Sequence, residues 1–390
     1  MNSSLMLVSA HGNFRLAATR EETIRESLWR ARVPLSATYI YEERGGKMQA
    51  VSALKKVRDV EGQIFVYINR NIQLAPIIGA GVNLYEREDF TTEHISAEGR
   101  EGGDEFATAV VQLSSEDVIE LAKESVCDIF QQMKDVAARG ERIIVGYSGG
   151  GDSNLLLTAL VECGMIGKEQ IMPTMVLGIR DWDRQIGIAR RRCESLGLPL
   201  HVVEEEQAAR LAKLDSVSGA LTRFHQEFPR TGKEFFGTWL LRRVLSEFAR
   251  LSGSSYVFIG ANREDVLGES LYLLSTGRVP LPFPIREIAG IRFVSPLYKL
   301  PKRVIDGAFP SYSVQNYQNR DESDDRGRSI FYYLVYLMQD CLPGIDLTLL
   351  EGIQNLCSEE NLVWDEELAD HVLRGDFQDV KGKWKRVINV

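Results

Sequence analysis

Residues 142–160, RIIVGYSGGGDSNLLLTAL, decide the fold of this 390-residue chain. The first part of the stretch is a short β-branched run, typical of a buried strand, and the last part has helical composition. A glycine turn bounded by serines joins them, and its residues are Ser148, Gly149, Gly150, Gly151, Asp152 and Ser153. The order of strand, glycine turn and helix predicts an α/β unit with the turn at the carboxyl end of the strand.

The composition of this glycine turn indicates that it binds an anion. Three consecutive glycines let backbone N–H groups approach a phosphate closely, and the following helix directs its free amides and positive dipole end to the same point. The turn lacks the lysine of a Walker A loop and the spacing of a GxGxxG turn. Asp152 suits such a cradle only where a hard cation such as Mg²⁺ bridges it to the phosphate, so a metal is predicted. The alternative is a turn that only joins strand to helix.

The motif SGGGDS resembles the SGGxDS signature of the PP-loop (N-type) ATP pyrophosphatases, which cleave ATP between the α and β phosphates and adenylate a substrate. The resemblance covers about residues 114–357. It implies an α/β fold with a doubly wound parallel sheet of the HUP-like kind, and ATP and Mg²⁺ as ligands. The most similar branch is that of the tRNA thiolases and tRNA lysidine synthetases. Its CxxC pair is missing here, because the matching position reads Gly232–Gly237 (GKEFFG), so no iron–sulfur cluster is expected.

The turn after the fourth predicted strand extends the resemblance. Residues Gly260–Asp265, GANRED, are similar to the family's GHNxDD element, with alanine in place of its histidine and glutamate in place of its first aspartate. The resemblance implies that Gly260 and Asn262 contact the nucleotide and that Asp152 and Asp265 share one Mg²⁺. The alternative is that the two aspartates are unrelated helix caps.

The turn after the second predicted strand is where the family places the adenine. The residues there are Gly178, Arg180 and Asp181, and the alternative for the charged pair is a helix cap. A long predicted helix carries two cations, Lys233 and Arg242, that are candidates to stabilise charge on a leaving pyrophosphate.

A later segment resembles the PLxxxxK stretch that the family places near its substrate. It offers Lys299 or Lys302 as a phosphate ligand, against the default of a surface lysine.

The first 80 residues predict a separate N-terminal domain. They carry 11 Lys and Arg against 7 Asp and Glu, whereas the whole chain has a net charge of −9. Two strands, one amphipathic helix and two more strands are predicted, an α+β order that resembles the β-grasp fold of ubiquitin-like proteins. Its ferredoxin version is excluded because the segment lacks cysteine. We expect this domain to dock a protein partner or to brace the enzyme. Residues 81–113 are predicted to be an acidic linker, and residues 358–390 a helical tail.

The composition limits which class of protein this chain can be. With 44% hydrophobic and 26% charged residues, the chain is expected to be globular and cytoplasmic, and it lacks the roughly 18 consecutive apolar residues that a membrane-spanning helix needs. The five cysteines are scattered without a CxxC pair, which argues against disulfides and thiolate metal sites.

Two functions follow from these observations. The first is an enzyme that adenylates a carbonyl or amide oxygen of an acceptor, after which a sulfur or nitrogen nucleophile displaces AMP. The acceptor would be a tRNA nucleobase or a small molecule. The second is a nucleotide-dependent sensor or assembly protein, for example in a defence system, that hydrolyses ATP to AMP and binds a protein partner through residues 1–80. The negative net charge weakens the tRNA interpretation. The oligomeric state stays open, with a homodimer among the alternatives.

Overall fold

The computed structural model of the chain describes residues 3–9, 12–69, 92–99, 106–133, 140–179, 182–229, 232–278, 280–309, 326–357, 362–365, 370–373, 382–383 and 385–387.

A five-stranded mixed sheet, called here the N-terminal sheet, opens the chain. Its elements are β1 (Ser3–Ser9), β2 (Gly12–Ala18), α1 (Ile24–Arg30), β3 (Thr38–Arg44), β4 (Lys47–Ala50) and β5 (Gln63–Ile68). The strand order is β2-β1-β5-β3-β4, with β1 parallel to β5 and the other pairs antiparallel. The structure has the four predicted strands and the helix in the predicted order, and it adds β4, which the sequence analysis does not predict. Assignment to the β-grasp class stays a prediction.

Helix α1 begins where the sequence provides a cap. The Thr23 hydroxyl accepts a hydrogen bond from the Glu26 amide (3.1 Å), and the Glu26 carboxylate accepts one from the Thr23 amide (2.7 Å). This reciprocal pair satisfies two amide donors that the first turn leaves without helical partners. The helix then buries Ile24 and Leu28 in the core of the sheet.

Two strand pairs occupy stretches in which the sequence predicts no strands. β6 (Thr92–Gly99) pairs antiparallel with β7 (Phe106–Leu113), within the predicted acidic linker. The predicted helical tail contains a second antiparallel pair at residues 362–365 and 370–373. Helix is therefore the wrong prediction at that point, where Leu-Val-Trp supplies the bulky side chains that favour a strand. The domain boundaries themselves stay predictions.

A six-stranded sheet, the central sheet, carries the glycine turn. The elements of this region are α2 (Ser115–Gln132), β8 (Ile143–Gly146), α3 (Gly151–Glu162), β9 (Ile171–Val176), α4 (Ile186–Leu196), β10 (His201–Val203), α5 (Glu205–Ala212), α6 (Val217–Glu227), α7 (Lys233–Leu251), β11 (Tyr256–Ile259), α8 (Arg263–Ser275), β12 (Ile285–Ile288), β13 (Ile291–Val294), α9 (Lys302–Ala308), α10 (Arg326–Cys341) and α11 (Ile345–Leu356). The final strands are β14 (Leu362–Asp365) and β15 (Asp370–Leu373).

The strand order of the central sheet has a switch point at β8. The order is β10-β9-β8-β11-β13-β12, and all neighbours are parallel except the edge pair β12 and β13. From β8 the chain moves outward to β9 and β10, and then crosses back to β11 on the other side of β8. At such a switch point the two following turns diverge and leave a crevice at the carboxyl ends of the strands. Gly146 of β8 pairs with Ile259 of β11, so both turns leave the sheet at the same level.

Helix α10 contributes side chains to the cores of both sheets. Its Val335 lies in the large apolar core around β8, whereas Tyr332 and Tyr336 lie in the core of the N-terminal sheet with Leu35 and Ile40. The core of the N-terminal sheet therefore includes side chains from a helix much later in the chain, and the Ser36 hydroxyl of this region bonds to a carbonyl 300 residues away, that of Tyr336. Across the described residues, every helix is too short or too polar to cross a membrane.

Candidate functional site

The glycine turn connects β8 to α3 at the switch point. Gly149 has φ +76°, in the left-handed region, and a Cβ there would lie 3.3 Å from both Cβ of Ala189 and the carbonyl oxygen of Gln185. Only glycine meets both requirements. The serines close the turn, because the Ser153 hydroxyl accepts from the Ser148 amide (3.3 Å) and donates to the Gly150 carbonyl (3.1 Å).

A buried asparagine, which the sequence analysis missed, supports the turn from inside. The Asn154 side chain is fully buried, its amide donates to the Gly149 carbonyl (3.1 Å), and its oxygen accepts from the Tyr147 hydroxyl. These bonds fix the backbone of the turn from the side facing the core. The only signal in the sequence is a polar residue within an apolar helical run.

Asp152 lies in the first turn of α3 with its side chain 26% exposed, and it is held by a lysine. The Lys302 ammonium donates to both of its carboxylate oxygens, at 2.9 and 3.1 Å, and also to Oδ1 of Asp306 at 2.6 Å. Burial opposes the charge on Lys302, but Asp152 and Asp306 together hold its pKa above the ordinary value. One cation therefore lies between two carboxylates at the edge of the turn.

The turn after β11 meets the glycine turn directly. A Cβ on Gly260 would lie 3.0 Å from the carbonyl carbon of Asp152 and 3.1 Å from the Ser153 amide nitrogen, so the two backbones approach as closely as a glycine allows. Asn262 caps α8, since its Oδ1 accepts from the Asp265 amide (2.9 Å). Its Nδ2 also donates to Asp152 at 3.3 Å. The Asn262 side chain thus both caps α8 and contacts the glycine turn. A Mg²⁺ shared by Asp152 and Asp265 stays a prediction.

Asp265 lies behind this contact, and its carboxylate has two donors. Oδ2 accepts from the Asn262 amide (3.2 Å), and Oδ1 accepts from the Tyr332 hydroxyl (2.8 Å). Burial first, and then the negative charge of Asp152, raise the pKa of Asp265. The negative charge of Asp152 thus acts on a second, buried carboxyl beside the glycine turn. Two neighbouring carboxylates of this kind fit a divalent cation with oxygen ligands. Among the described residues, no three His, Cys, Asp or Glu side chains gather as a ligand set. Phosphate or water oxygens would therefore have to complete the coordination of such an ion.

Glu264, next to Asp265 in the chain, makes contacts of its own. Glu264 is fully buried and accepts from the Lys302 amide (2.7 Å) and from Nε2 of Gln339 (2.8 Å). Burial raises its pKa to about 7. Next to it, Arg263 pairs with buried Asp346 at 2.5 Å. Arg263 also donates to the Lys299 carbonyl (2.8 Å), so Arg263 and Glu264 both hold the segment that carries Lys302.

The remaining predicted residues lie as follows. Gly178 has φ +117°, and its amide donates to the Asp183 carboxylate (3.2 Å) just after β9. Arg180 and Asp181 lie outside the described residues. Lys233 is the first residue of α7 and Arg242 lies near the middle of that helix.

The lysine that the structure brings to Asp152 is Lys302. The Lys299 ammonium lies 5.5 Å from the ring centroid of Tyr298.

Comparison with known proteins gives weak likenesses. No family model matches the chain, and no curated protein matches it. Among solved structures, the U34-tRNA thiolase NcsA from Methanococcus maripaludis with its [4Fe-4S] cluster is 17% identical, with a TM-score of 0.48 over 67% of this chain and 84% of that one. An NH3-dependent NAD synthetase from Campylobacter jejuni subsp. jejuni is 15% identical, with a TM-score of 0.34 over 62% of this chain and 94% of that one.

A third solved structure is a glutamine-dependent NAD+ synthetase from Acinetobacter baumannii, in complex with ADP. It is 14% identical, with a TM-score of 0.27 over 87% of this chain and 60% of that one. Because all three TM-scores lie below 0.5, these likenesses support no functional conclusion.

Proposed function

We propose that this chain is an ATP pyrophosphatase that adenylates an acceptor. The observation that carries the proposal is the glycine turn at the switch point, joined through Asp152 to Asn262 on the neighbouring turn and to the ammonium of Lys302. An anion cradle, a carboxylate and a cation meet there, and this is the set of groups that binding a nucleoside triphosphate requires.

The reaction is a substitution at the α-phosphorus. A carbonyl or amide oxygen of the acceptor forms a bond to that phosphorus, the bond from phosphorus to the α–β bridging oxygen breaks, and pyrophosphate leaves with its electron pair. A sulfur or nitrogen nucleophile then displaces AMP from the activated carbon. Positioning and neutralisation of charge account for most of the rate enhancement in such transfers.

The residues of the chain divide these tasks. The amides of Gly149–Gly151 and the N-terminus of α3 bind phosphate oxygens. If Mg²⁺ binds, Asp152 and Asp265 would hold it, and it would neutralise charge on the pyrophosphate. Lys302 adds a cation beside Asp152. A role of Lys233 and Arg242 in stabilising the leaving pyrophosphate stays a prediction.

Three of the five cysteines are poorly suited to supply the nucleophile. Burial raises the pKa of Cys193 to about 12 and that of Cys357 to about 11, and it also raises the pKa of Cys163. Thiols of this kind are poor nucleophiles, since the thiolate is the reactive form. An amine or an external sulfur donor therefore fits better than a persulfide on one of these cysteines.

The test is product analysis with purified full-length protein, MgATP and a matched pair of variants. We expect AMP and pyrophosphate, and a loss of at least 100-fold in Asp152→Asn, because removing a charge that acts at the reacting phosphate commonly costs that much. Asp128→Asn, at an exposed position on α2, is the control and should match the wild type. Release of ADP, or full activity in Asp152→Asn, would contradict the proposal. Bulk tRNA in a parallel reaction separates the two candidate functions, since stimulation favours nucleobase modification and tRNA-independent turnover favours the sensor.

A further inference from the structure

The N-terminal sheet is attached to the part of the molecule that forms the candidate site. The Asp340 carboxylate of α10 accepts from the amides of Leu35 and Ser36, the latter at 2.9 Å. The Tyr333 hydroxyl donates to the Arg32 carbonyl (2.9 Å). Together with the two α10 tyrosines in its core, these bonds fix the sheet against α10.

One hydrogen bond from the sheet leads to the site. The Tyr39 hydroxyl, on β3, donates to Oδ2 of Asp306 on α9. The other oxygen of this carboxylate, Oδ1, accepts from the Lys302 ammonium (2.6 Å), which in turn donates to Asp152 of the glycine turn (2.9 Å). We call these four residues the Tyr39 chain. It runs from the N-terminal sheet to the turn through direct contacts.

The Tyr39 chain explains how the Lys302 ammonium is held in one position. A lysine side chain has a flexible four-carbon stem, so its ammonium takes one position only if its surroundings impose it. Asp152 alone is a poor anchor, because a nucleotide with its cation competes for the same carboxylate. Asp306 is 8% exposed and lies one helical turn after Lys302, so it remains as an anchor when Asp152 turns to a ligand.

We propose that Tyr39 is a positioning residue of the nucleotide site: by holding Asp306 it keeps the Lys302 ammonium beside the glycine turn. The inference deepens the proposed function and rests on it, in that Lys302 is taken to act on a bound nucleotide. It assigns the N-terminal sheet a part in the site, although none of its strands belongs to the central sheet. Tyr332 supplies a second link of the same kind, since it lies in the core of the N-terminal sheet and donates to Asp265.

The experiment is a double-mutant cycle in the full-length protein with Tyr39→Phe, Lys302→Ala and both together. Tyr333→Phe is the matched control, since it removes a tyrosine hydroxyl from the same interface without touching the Tyr39 chain. AMP and pyrophosphate release give kcat and KM for MgATP, and calorimetry gives its Kd. We expect Tyr39→Phe to lower kcat/KM about 10- to 100-fold, as misplaced catalytic groups do, and Tyr333→Phe to stay within twofold of the wild type.

The cycle separates positioning from general support of the fold. If Tyr39 acts through Lys302, then Tyr39→Phe changes the Lys302→Ala enzyme by less than twofold, because coupled residues are not additive. Equal losses in both backgrounds, equal losses in Tyr39→Phe and Tyr333→Phe, or no loss in Tyr39→Phe would each overturn the inference. If the wild type makes no AMP, the proposed function fails, and the same cycle is then judged on the Kd for MgATP. Additive effects of Tyr39→Phe and Lys302→Ala on this Kd would overturn the inference. The absence of any MgATP binding would overturn it as well.

Discussion

Replacing Gly260 by alanine should damage both stability and nucleotide binding. A Cβ at this position would lie 3.0 Å from the Asp152 carbonyl carbon, 3.1 Å from its oxygen and 3.1 Å from the Ser153 amide nitrogen. All three are backbone atoms at the start of α3, so no side chain can rotate away, and the two turns must separate by a few tenths of an ångström. Overpacking of this kind costs about 1–3 kcal/mol. The displaced atoms belong to the phosphate cradle, so we expect the affinity for MgATP to fall about 10-fold or more.

The measurement compares Gly260→Ala with Gly352→Ala. Gly352 is an exposed residue within α11, and a Cβ there meets nothing within 4 Å. The same chemical change should therefore stabilise the protein there, by up to about 1 kcal/mol, because alanine has the higher helix propensity. Urea denaturation gives the free energy of unfolding and calorimetry gives the Kd for MgATP. A Gly260→Ala protein with the stability and Kd of the wild type would show that the two turns do not meet as described.

Three further predictions use other contacts. Asn154→Ala removes the donor to the Gly149 carbonyl, so the free energy of unfolding should fall by about 1–3 kcal/mol; an unchanged urea midpoint would contradict this. The hydrogen bond from Arg30 is the main cause that lowers the pKa of Glu22 to about 2. Glu22 therefore stabilises the fold above pH 4.5 and loses this effect as the pH falls toward 2. Glu22→Gln should make the free energy of unfolding depend less on pH between pH 4.5 and 2. A dependence as steep as that of the wild type would refute this prediction. Native Cys193 should resist a thiol reagent at pH 8, since burial raises its pKa to about 12, and rapid labelling seen by mass spectrometry would refute this.

The glycine turn could be predicted because its information is local. Strand, turn and helix follow one another within 19 residues, and each has its own composition signal. The same holds for the capped start of α8 at Asn262. Both turns lie at the switch point, where the order of the parallel strands places them side by side.

The partners of Asp152 could not be predicted in the same way. Lys302 lies 150 residues from Asp152, and Tyr39 lies 267 residues from Asp306. No periodicity or motif in the sequence predicts contacts over such separations. They form because α9 and α10 pack against the two sheets. The lysine was a candidate from its segment alone, but its contact with a carboxylate of the glycine turn depends on tertiary structure.

The same packing bears on the two roles predicted for the N-terminal sheet. A domain that only docks a partner would close its own core, and its removal would leave the rest intact. Here the core includes Tyr332 and Tyr336 of α10, and the Tyr332 hydroxyl reaches Asp265. Without the sheet, both tyrosines would lose their apolar surroundings and Asp306 would lose the Tyr39 donor. Two of the side chains that define the candidate site, Asp265 and Lys302, therefore depend on this sheet for their position, which favours bracing over docking alone.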